Sequence, residues 1–360
     1  MRTYQIAGFF GIRFTTNIST IRHLMDSITT FAQNWYPISL IVGVLLLIFG
    51  GNLLVEGGVA IAKRLGVSTL VIGLTIVAFS TSSPELALNA VASWNGHGDL
   101  CFGNIIGSNI ANLGLVLGIG ALICRLPVTG QIVKWEFPWL VAITVIIFLC
   151  AIFASFAFMP VSFQSLGVPW AILLLLLFFF SMWKWFRLGK CESEVAKQSD
   201  DITPDTVCSA TAAWTMLIGG LVLLGLGGKV TEIGAVSLAT KLGISQLVIG
   251  GTVVAIATSL PEVVTTIIAA RKNHPDLAVG NVVGSNLFNV LFVLPITMLI
   301  NPIAIPSGPD PWVYLIAMLL FTLIAWRMIR DNRVKTKEGG LLVFLYACFL
   351  IGITIWKSVG

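Results

Sequence analysis

The sequence predicts an all-α membrane protein, with ten transmembrane helices in two inverted-topology five-helix repeats. Three observations predict it. Of 360 residues, 57% are hydrophobic and only 10% charged, against roughly 25% charged in an average soluble domain. So few charges cannot dress a soluble surface, and they exclude a disordered chain as well. The apolar runs are continuous, as in Ala171–Phe180, whereas membrane-spanning β-strands alternate apolar with polar residues. Finally, residues 66–112 align with 243–289 without a gap, at a constant offset of 177.

A helix needs about 20 apolar residues to cross a bilayer. On that basis the spans fall near 38–62, 68–93, 100–123, 137–158, 166–186, 213–239, 245–270, 277–300, 311–329 and 341–357. Residues 1–36 form a mildly basic extension (Arg2, Arg13, Arg22) with no assigned function. Residues 37–186 make the first five-helix half. The longest polar break, 187–211, carries Lys190, Glu192, Glu194, Lys197, Asp200, Asp201 and Asp205, and reads as a solvated linker. Residues 212–360 make the second half. No cleavable signal peptide is expected, because the apolar stretch Ile6–Ile12 is short and lacks a small-residue cleavage site.

Lys and Arg alternate between loops. Loops after odd-numbered spans hold Lys63 and Arg64, Arg125 and Lys134, Lys184 to Lys197, Arg271 and Lys272, and Arg327 to Lys337. The intervening loops hold almost none, Lys241 being the main exception. Positive residues stay cytoplasmic. The expectation is a multi-pass protein of the cell (inner) membrane with both termini outside and the central linker cytoplasmic. The net charge of +5 is therefore topological, and no nucleic-acid partner is expected. The six cysteines are scattered without a C-x-x-C pair and read as small hydrophobes.

An odd number of spans per half makes the second copy enter the membrane in the opposite direction. Such inverted repeats place a transport site at the midplane. The copies share more than apolar residues. Thr81-Ser82-Ser83-Pro84-Glu85 matches Thr258-Ser259-Leu260-Pro261-Glu262, and Gly103-Asn104-x-x-Gly107-Ser108-Asn109-x-x-Asn112 matches Gly280-Asn281-x-x-Gly284-Ser285-Asn286-x-x-Asn289.

Proline inside a helix lacks an N–H and clashes with the preceding turn, yet it is accepted as the first residue of a new helix. Each span should therefore break into two half-helices, freeing carbonyls near Ser80 and Ala257, with Glu85 and Glu262 just after the break. An ionised Glu at membrane depth needs a partner, and no Lys or Arg lies nearby in sequence. A bound cation supplies one. Two carboxylates neutralise a divalent ion, and the hydroxyls of Thr81, Ser82, Thr258 and Ser259 add neutral oxygens. Oxygen-only sites suit hard cations such as Ca²⁺ or Na⁺. Each Pro as a packing kink beside a neutral Glu is the competing reading.

Positions four apart share a helix face, so Asn104, Ser108 and Asn112 form a polar stripe, and Asn281, Ser285 and Asn289 its twin. Their amides could ligate a cation or orient a ligating Glu. Gly103 and Gly107 read as a smooth packing surface. His97 and His274 read as solvated loop residues. Glu56 and Glu232 could line an access path or hydrate helix ends. Trp135, Trp139, Trp183, Trp185 and Trp326 read as interfacial anchors. No H-E-x-x-H or Walker loop is present, so neither a protease nor an ATP-driven pump is expected.

These paired motifs resemble the α-repeats of the Ca²⁺/cation antiporter superfamily, most closely its prokaryotic sodium/calcium exchanger branch. The likeness runs from about residue 37 to the end and is sharp only in the repeats. It implies ten helices with four cation sites at the midplane. Glu85 and Glu262 would be central ligands, with Thr81 and Thr258 giving mainly backbone carbonyls to Ca²⁺. Ser82, Ser259, Ser108, Ser285 and the carbonyls of Ala78 and Ala255 would build outer Na⁺ sites. Asn112 and Asn289 would line the middle site, and the first span of each half would slide as a gate. Three departures stand out. Ser80 and Ala257 replace a common Gly, residues 1–36 have no counterpart, and Asn289 stands where some relatives carry Asp. Two site carboxylates remain instead of three.

The resulting expectation is a secondary antiporter exchanging Ca²⁺ for Na⁺ by alternating access, not an enzyme. Both ions would compete for Glu85 and Glu262. Ca²⁺/H⁺ or K⁺-coupled exchange is the alternative. No cofactor and no obligate protein partner is expected; the partners are the transported Ca²⁺ and Na⁺ and the lipid bilayer.

Overall fold

The computed structural model describes residues 35–124, 126–155, 165–197, 209–242, 255–305 and 309–359, with isolated positions 30 and 33. The architecture is all-helical, apart from one two-residue strand pair. Helix α1 covers Tyr36–Leu65, starts with proline in its first turn, and ends at Gly66 (φ 61°), whose N–H caps Ala62 O. Only a residue free to adopt that left-handed conformation closes a helix this way. Helix α2 (Thr69–Thr81) is capped by Ser68, whose hydroxyl accepts from Val71 N–H. It meets α3 (Ser83–Trp94) at a 44° bend. Helices α4 (Gly98–Ile123), α5 (Ile132–Ala154) and α6 (Val168–Lys197) complete the first half.

The second half repeats the order. Helix α7 covers Ala210–Lys241, α8 Ala255–Thr258, α9 Leu260–Arg271, α10 Pro275–Ile300, α11 Asp310–Ile329 and α12 Thr336–Val359. Among the described residues eight helices are long and apolar enough to cross a membrane, and nine if the bent α2–α3 pair is one span. Of the span expected at 245–270, residues 245–254 lie outside the described residues. Two boundaries move. The fourth span begins at Ile132, because the turn Ile132–Glu136 is already helical. The fifth runs past 186 to Lys197, so the polar stretch 187–197 continues the helix instead of opening a linker.

Helix α1 packs along α7 with a glycine seam. Gly43 lies against Gly227 and Thr231, Gly50 against Gly220 and Leu224, and Gly57 against Ala213 and Leu217. Contacts rise along one helix as they fall along the other, so the two run antiparallel. Helices α4 and α10 form the centre. In their most apolar stretches 78% of residues are buried, against 22–44% in the other spanning helices. Gly280 and Gly284 pack directly on Leu70, Gly73, Leu74 and Ala78 of α2. By the repeat, the surface expected opposite Gly103 and Gly107 falls on 247–255, of which 247–254 lie outside the described residues.

The loops sort by side. Strand β1 (Leu126–Pro127), after α4, pairs antiparallel with β2 (Arg333–Val334), after α11. Leu166, before α6, bridges Ile303, after α10. Each pairing joins two loops of the same charge class: basic with basic, neutral with neutral. Lys63 and Lys272 likewise flank His274.

His97 is exposed, whereas His274 is half-buried, which corrects the solvated reading for the second histidine. Burial first, then the Lys63 and Lys272 ammoniums, push the His274 imidazole below its ordinary value of 6.5. The unfolded chain therefore takes up this proton first, and stability falls as pH drops below 6.5 toward the folded value. His274→Asn should flatten the dependence of melting temperature on pH in that window, measured in detergent with the intact chain as reference.

Trp135 and Trp183 stay exposed under Lys184 and Arg187, as interfacial anchors should. Trp185 does not. It is fully buried, and its indole N–H donates to Glu136 Oε2 at 2.5 Å. Gln131 donates to the other oxygen at 3.3 Å. Glu136 is a buried carboxylate that sequence reading overlooked, and its indole partner is what removed Trp185 from the interface. Glu56 pairs with Lys272 at 2.6 Å, and Glu232 with Lys229 at 3.0 Å.

Candidate cation site

Both Pro-Glu motifs break their helices in the same way. Ser82 adopts φ −87°, ψ 1°, and Ser259 φ −89°, ψ 2°. These values lie in the sparsely allowed bridge region. Proline then starts the new helix within its first two residues, and the glutamate sits in its first turn. Unpaired N–H groups and the helix dipole favour negative charge at that position. The break therefore delivers a carboxylate and a helix N-terminus together, once per half.

The two half-sites interlock across the repeat. Helix α3, carrying Glu85, packs against the π-helical turn Asn289–Val293 of α10. Helix α9, carrying Glu262, packs against the π-helical turn Asn112–Val116 of α4. Such π-turns re-aim side chains and recur at functional sites. The Thr81 hydroxyl lies 3.1 Å from both Asn281 Oδ1 and Ser285 Oγ. Glu85 and the Thr81 side chain lie near enough to act on the Glu262 carboxylate. Glu85, Glu262, Thr81, Asn281 and Ser285 thus belong to one constellation.

Glu85 is 3% exposed and Glu262 1%. Neither faces lipid, and among the described residues neither has an ion-pair partner. Twelve buried side-chain N and O atoms lack a hydrogen-bond partner among the described residues. Eight of them belong to six expected site residues: Ser82 Oγ, Glu85 Oε2, both amide atoms of Asn112, Ser259 Oγ, both Glu262 oxygens and Asn289 Oδ1. Buried polar atoms are almost always paired, and an unpaired buried carboxylate is far costlier than an unpaired amide. All but one of the eight are oxygens. This chemistry receives a hard cation.

The remaining expected residues vary. Ser108 is buried, and Thr258 is half-buried. Ala78 is buried, and its carbonyl accepts from Ser82 N–H at 3.0 Å and from the Thr81 hydroxyl at 3.3 Å. Ala255 opens α8. No cluster of three or more His, Cys, Asp or Glu occurs among the described residues.

Two supporting residues were not foreseen. Asn89 donates to the Glu85 carbonyl at 2.7 Å, and Thr266 accepts from Asn281 at 3.2 Å. Each stands four residues after a site glutamate, so helical spacing marks both as sharing its face.

The family described as "Sodium/calcium exchanger protein" matches residues 35–186 and 212–355. CaxA of Alkalimonas amylolytica is 35% identical over 316 residues, covering 86% of this chain and 95% of CaxA. The sodium/calcium exchanger MaX1 of Methanosarcina acetivorans is 29% identical, covering 87% of this chain and 96% of its own. The solved sodium-calcium exchanger NCX_Mj superposes with a TM-score of 0.72 at 28% identity, covering 88% of this chain and 98% of its own.

Proposed function

Because the chain belongs to the sodium/calcium exchanger family, we propose that it is a secondary antiporter moving Ca²⁺ against Na⁺ by alternating access. Both ions compete for Glu85 and Glu262. One Ca²⁺ neutralises the two carboxylates; alternatively, several Na⁺ spread over them and the neutral oxygens of Thr81, Thr258, Ser82, Ser259, Ser108, Ser285, Asn112, Asn289 and the carbonyls of Ala78 and Ala255. The observation that carries this reading is the cluster of unpartnered buried oxygens on residues from both halves.

The proposed scaffold is ten transmembrane helices in two inverted halves, 37–186 and 212–360. It sits in the inner membrane with both termini outside and the segment between the halves cytoplasmic. The pairing of basic loops with basic loops supports this topology. Exchange follows from electrostatics. An unloaded site leaves negative charge at low dielectric, so the barrier to reorientation is high unless ions are bound.

The test is ⁴⁵Ca²⁺ uptake into proteoliposomes of purified protein. Internal Na⁺ should start uptake, and removing it should stop uptake. Uptake driven equally by a pH or K⁺ gradient alone, or persisting without any counter-ion, would overturn the assignment.

A further inference from the structure

Asn289 is an amide among carboxylates. An amide offers a cation either a carbonyl oxygen, which ligates, or an NH₂ group, which repels. Its worth as a ligand therefore depends on which end faces the ion, and its immediate neighbours decide that. Asn289 Nδ2 donates to Asn109 Oδ1 at 3.3 Å, across the two halves. Asn109 Nδ2 in turn lies 3.7 Å from the Met318 sulfur of α11. All three side chains are 1% exposed.

The orientation of this chain is chemically determined. A thioether sulfur accepts hydrogen bonds and cannot donate one. Met318 therefore requires the NH₂ end of Asn109, which turns the Asn109 oxygen toward Asn289. That oxygen requires the NH₂ end of Asn289. Asn289 Oδ1 is left over, buried and without a partner among the described residues. The counterpart pair, Asn112 of the first half and Asn286 of the second, has no such constraint. Asn286, the counterpart of Asn109, donates to its own helix at Val282 O, 2.8 Å away. Among the described residues Asn112, the counterpart of Asn289, bonds through neither end.

We propose that Met318 and Asn109 are positioning residues that hold the Asn289 carbonyl oxygen toward the transported cation. Resting on the proposed exchange site, the relay makes a neutral amide serve as an oxygen ligand in the second half alone. Neither residue touches the ion; both act through Asn289.

The experiment is a two-background comparison in proteoliposomes, reading the half-saturating Ca²⁺ concentration and the maximal rate. Met318→Leu keeps volume but removes the acceptor, so Asn109 and Asn289 can both turn over. The half-saturating Ca²⁺ concentration should rise about three- to tenfold, the worth of one oriented hydrogen bond, with the maximal rate little changed. In an Asn289→Asp background both ends of residue 289 are oxygens. With Met318 in place the Asn109 oxygen would face a carboxylate oxygen there. Met318→Leu, which frees Asn109 to turn its NH₂ group toward that carboxylate, should then not raise the half-saturating concentration, and any change should be a fall. Equal effects in the two backgrounds would make Met318 a mere packing residue, and no effect in either would remove the relay. Glu85→Gln in parallel separates the two readings: if it exchanges normally, the site assignment fails, whereas if it is inactive while Met318→Leu is silent, only the relay fails.

Discussion

Glu85→Gln and Glu262→Gln should each abolish Na⁺-driven Ca²⁺ uptake, while the purified proteins should remain folded and monodisperse. The expected loss is roughly 30-fold or more, because truncating one partner of a buried charge pair costs about 2–5 kcal/mol. The sign on stability is opposite to that of an ordinary core mutation. Without ions, the wild-type chain buries two neighbouring carboxyl groups whose negative charge has no ion-pair partner among the described residues. A neutral amide removes the cost of burying that charge. Each variant should melt no lower than wild type in chelator. Added Ca²⁺ should raise the wild-type melting temperature, since a ligand at 100 times its dissociation constant contributes about 2.7 kcal/mol. That rise should vanish in both variants. If instead either variant melts well below wild type in chelator, its glutamate supports the fold and the ion-site reading loses its main argument.

The near-symmetry of the two breaks makes the pair of variants informative together. Ser82 and Ser259 have the same backbone conformation, and each glutamate follows in the first turn of the new helix. One variant silent and the other dead would mean that the repeat is a folding relic with a one-sided site.

Much of this was legible before coordinates. A Pro-Glu pair inside an apolar span, occurring twice in register, already implies a broken helix and a buried carboxylate; the breaks are found at Ser82 and Ser259 and the carboxylates at Glu85 and Glu262. The polar stripes fell out of four-residue spacing. Other features depend on which helices meet, which spacing within one helix does not encode. Trp185 looks like any interfacial tryptophan until Glu136 on a neighbouring helix takes its N–H. Asn109 looks like one more amide of the Gly-Asn motif until Met318, far along the chain, fixes its direction. The π-turns at Asn112 and Asn289 leave no compositional mark, because one extra residue per turn changes no side chain. The glycines of α1 and α7 could have been found: Gly43, Gly50 and Gly57 recur every seven residues, as do Gly220, Gly227 and Gly234. A seven-residue apolar period predicts a left-handed crossing of two helices. Glycine at each step predicts that they touch backbone to backbone.

That seam carries the second large effect. Gly220→Leu should eliminate exchange and leave little monodisperse protein. A Cβ at Gly220 would stand 2.5 Å from Leu54 N and 2.7 Å from Gly50 O. Both are backbone atoms, so no side-chain rotation relieves the clash and α1 must move off α7. Overpacking a core typically costs 1–3 kcal/mol, and here the strain falls on a contact running the length of both helices. The neighbouring Gly219 supplies the control, since no described atom lies within 4 Å of its added Cβ. Gly219→Leu should therefore express and exchange like wild type. The comparison separates packing from helix propensity, because both substitutions improve propensity equally while only one meets a wall. Gly50→Leu attacks the same contact from the other helix, where the nearest atoms are Leu224 N at 2.8 Å and Gly220 O at 2.9 Å, and should reproduce the loss. If Gly220→Leu and Gly50→Leu both exchange normally, α1 and α7 are not locked at this seam. The antiparallel pairing that brings the two halves face to face would then need another origin.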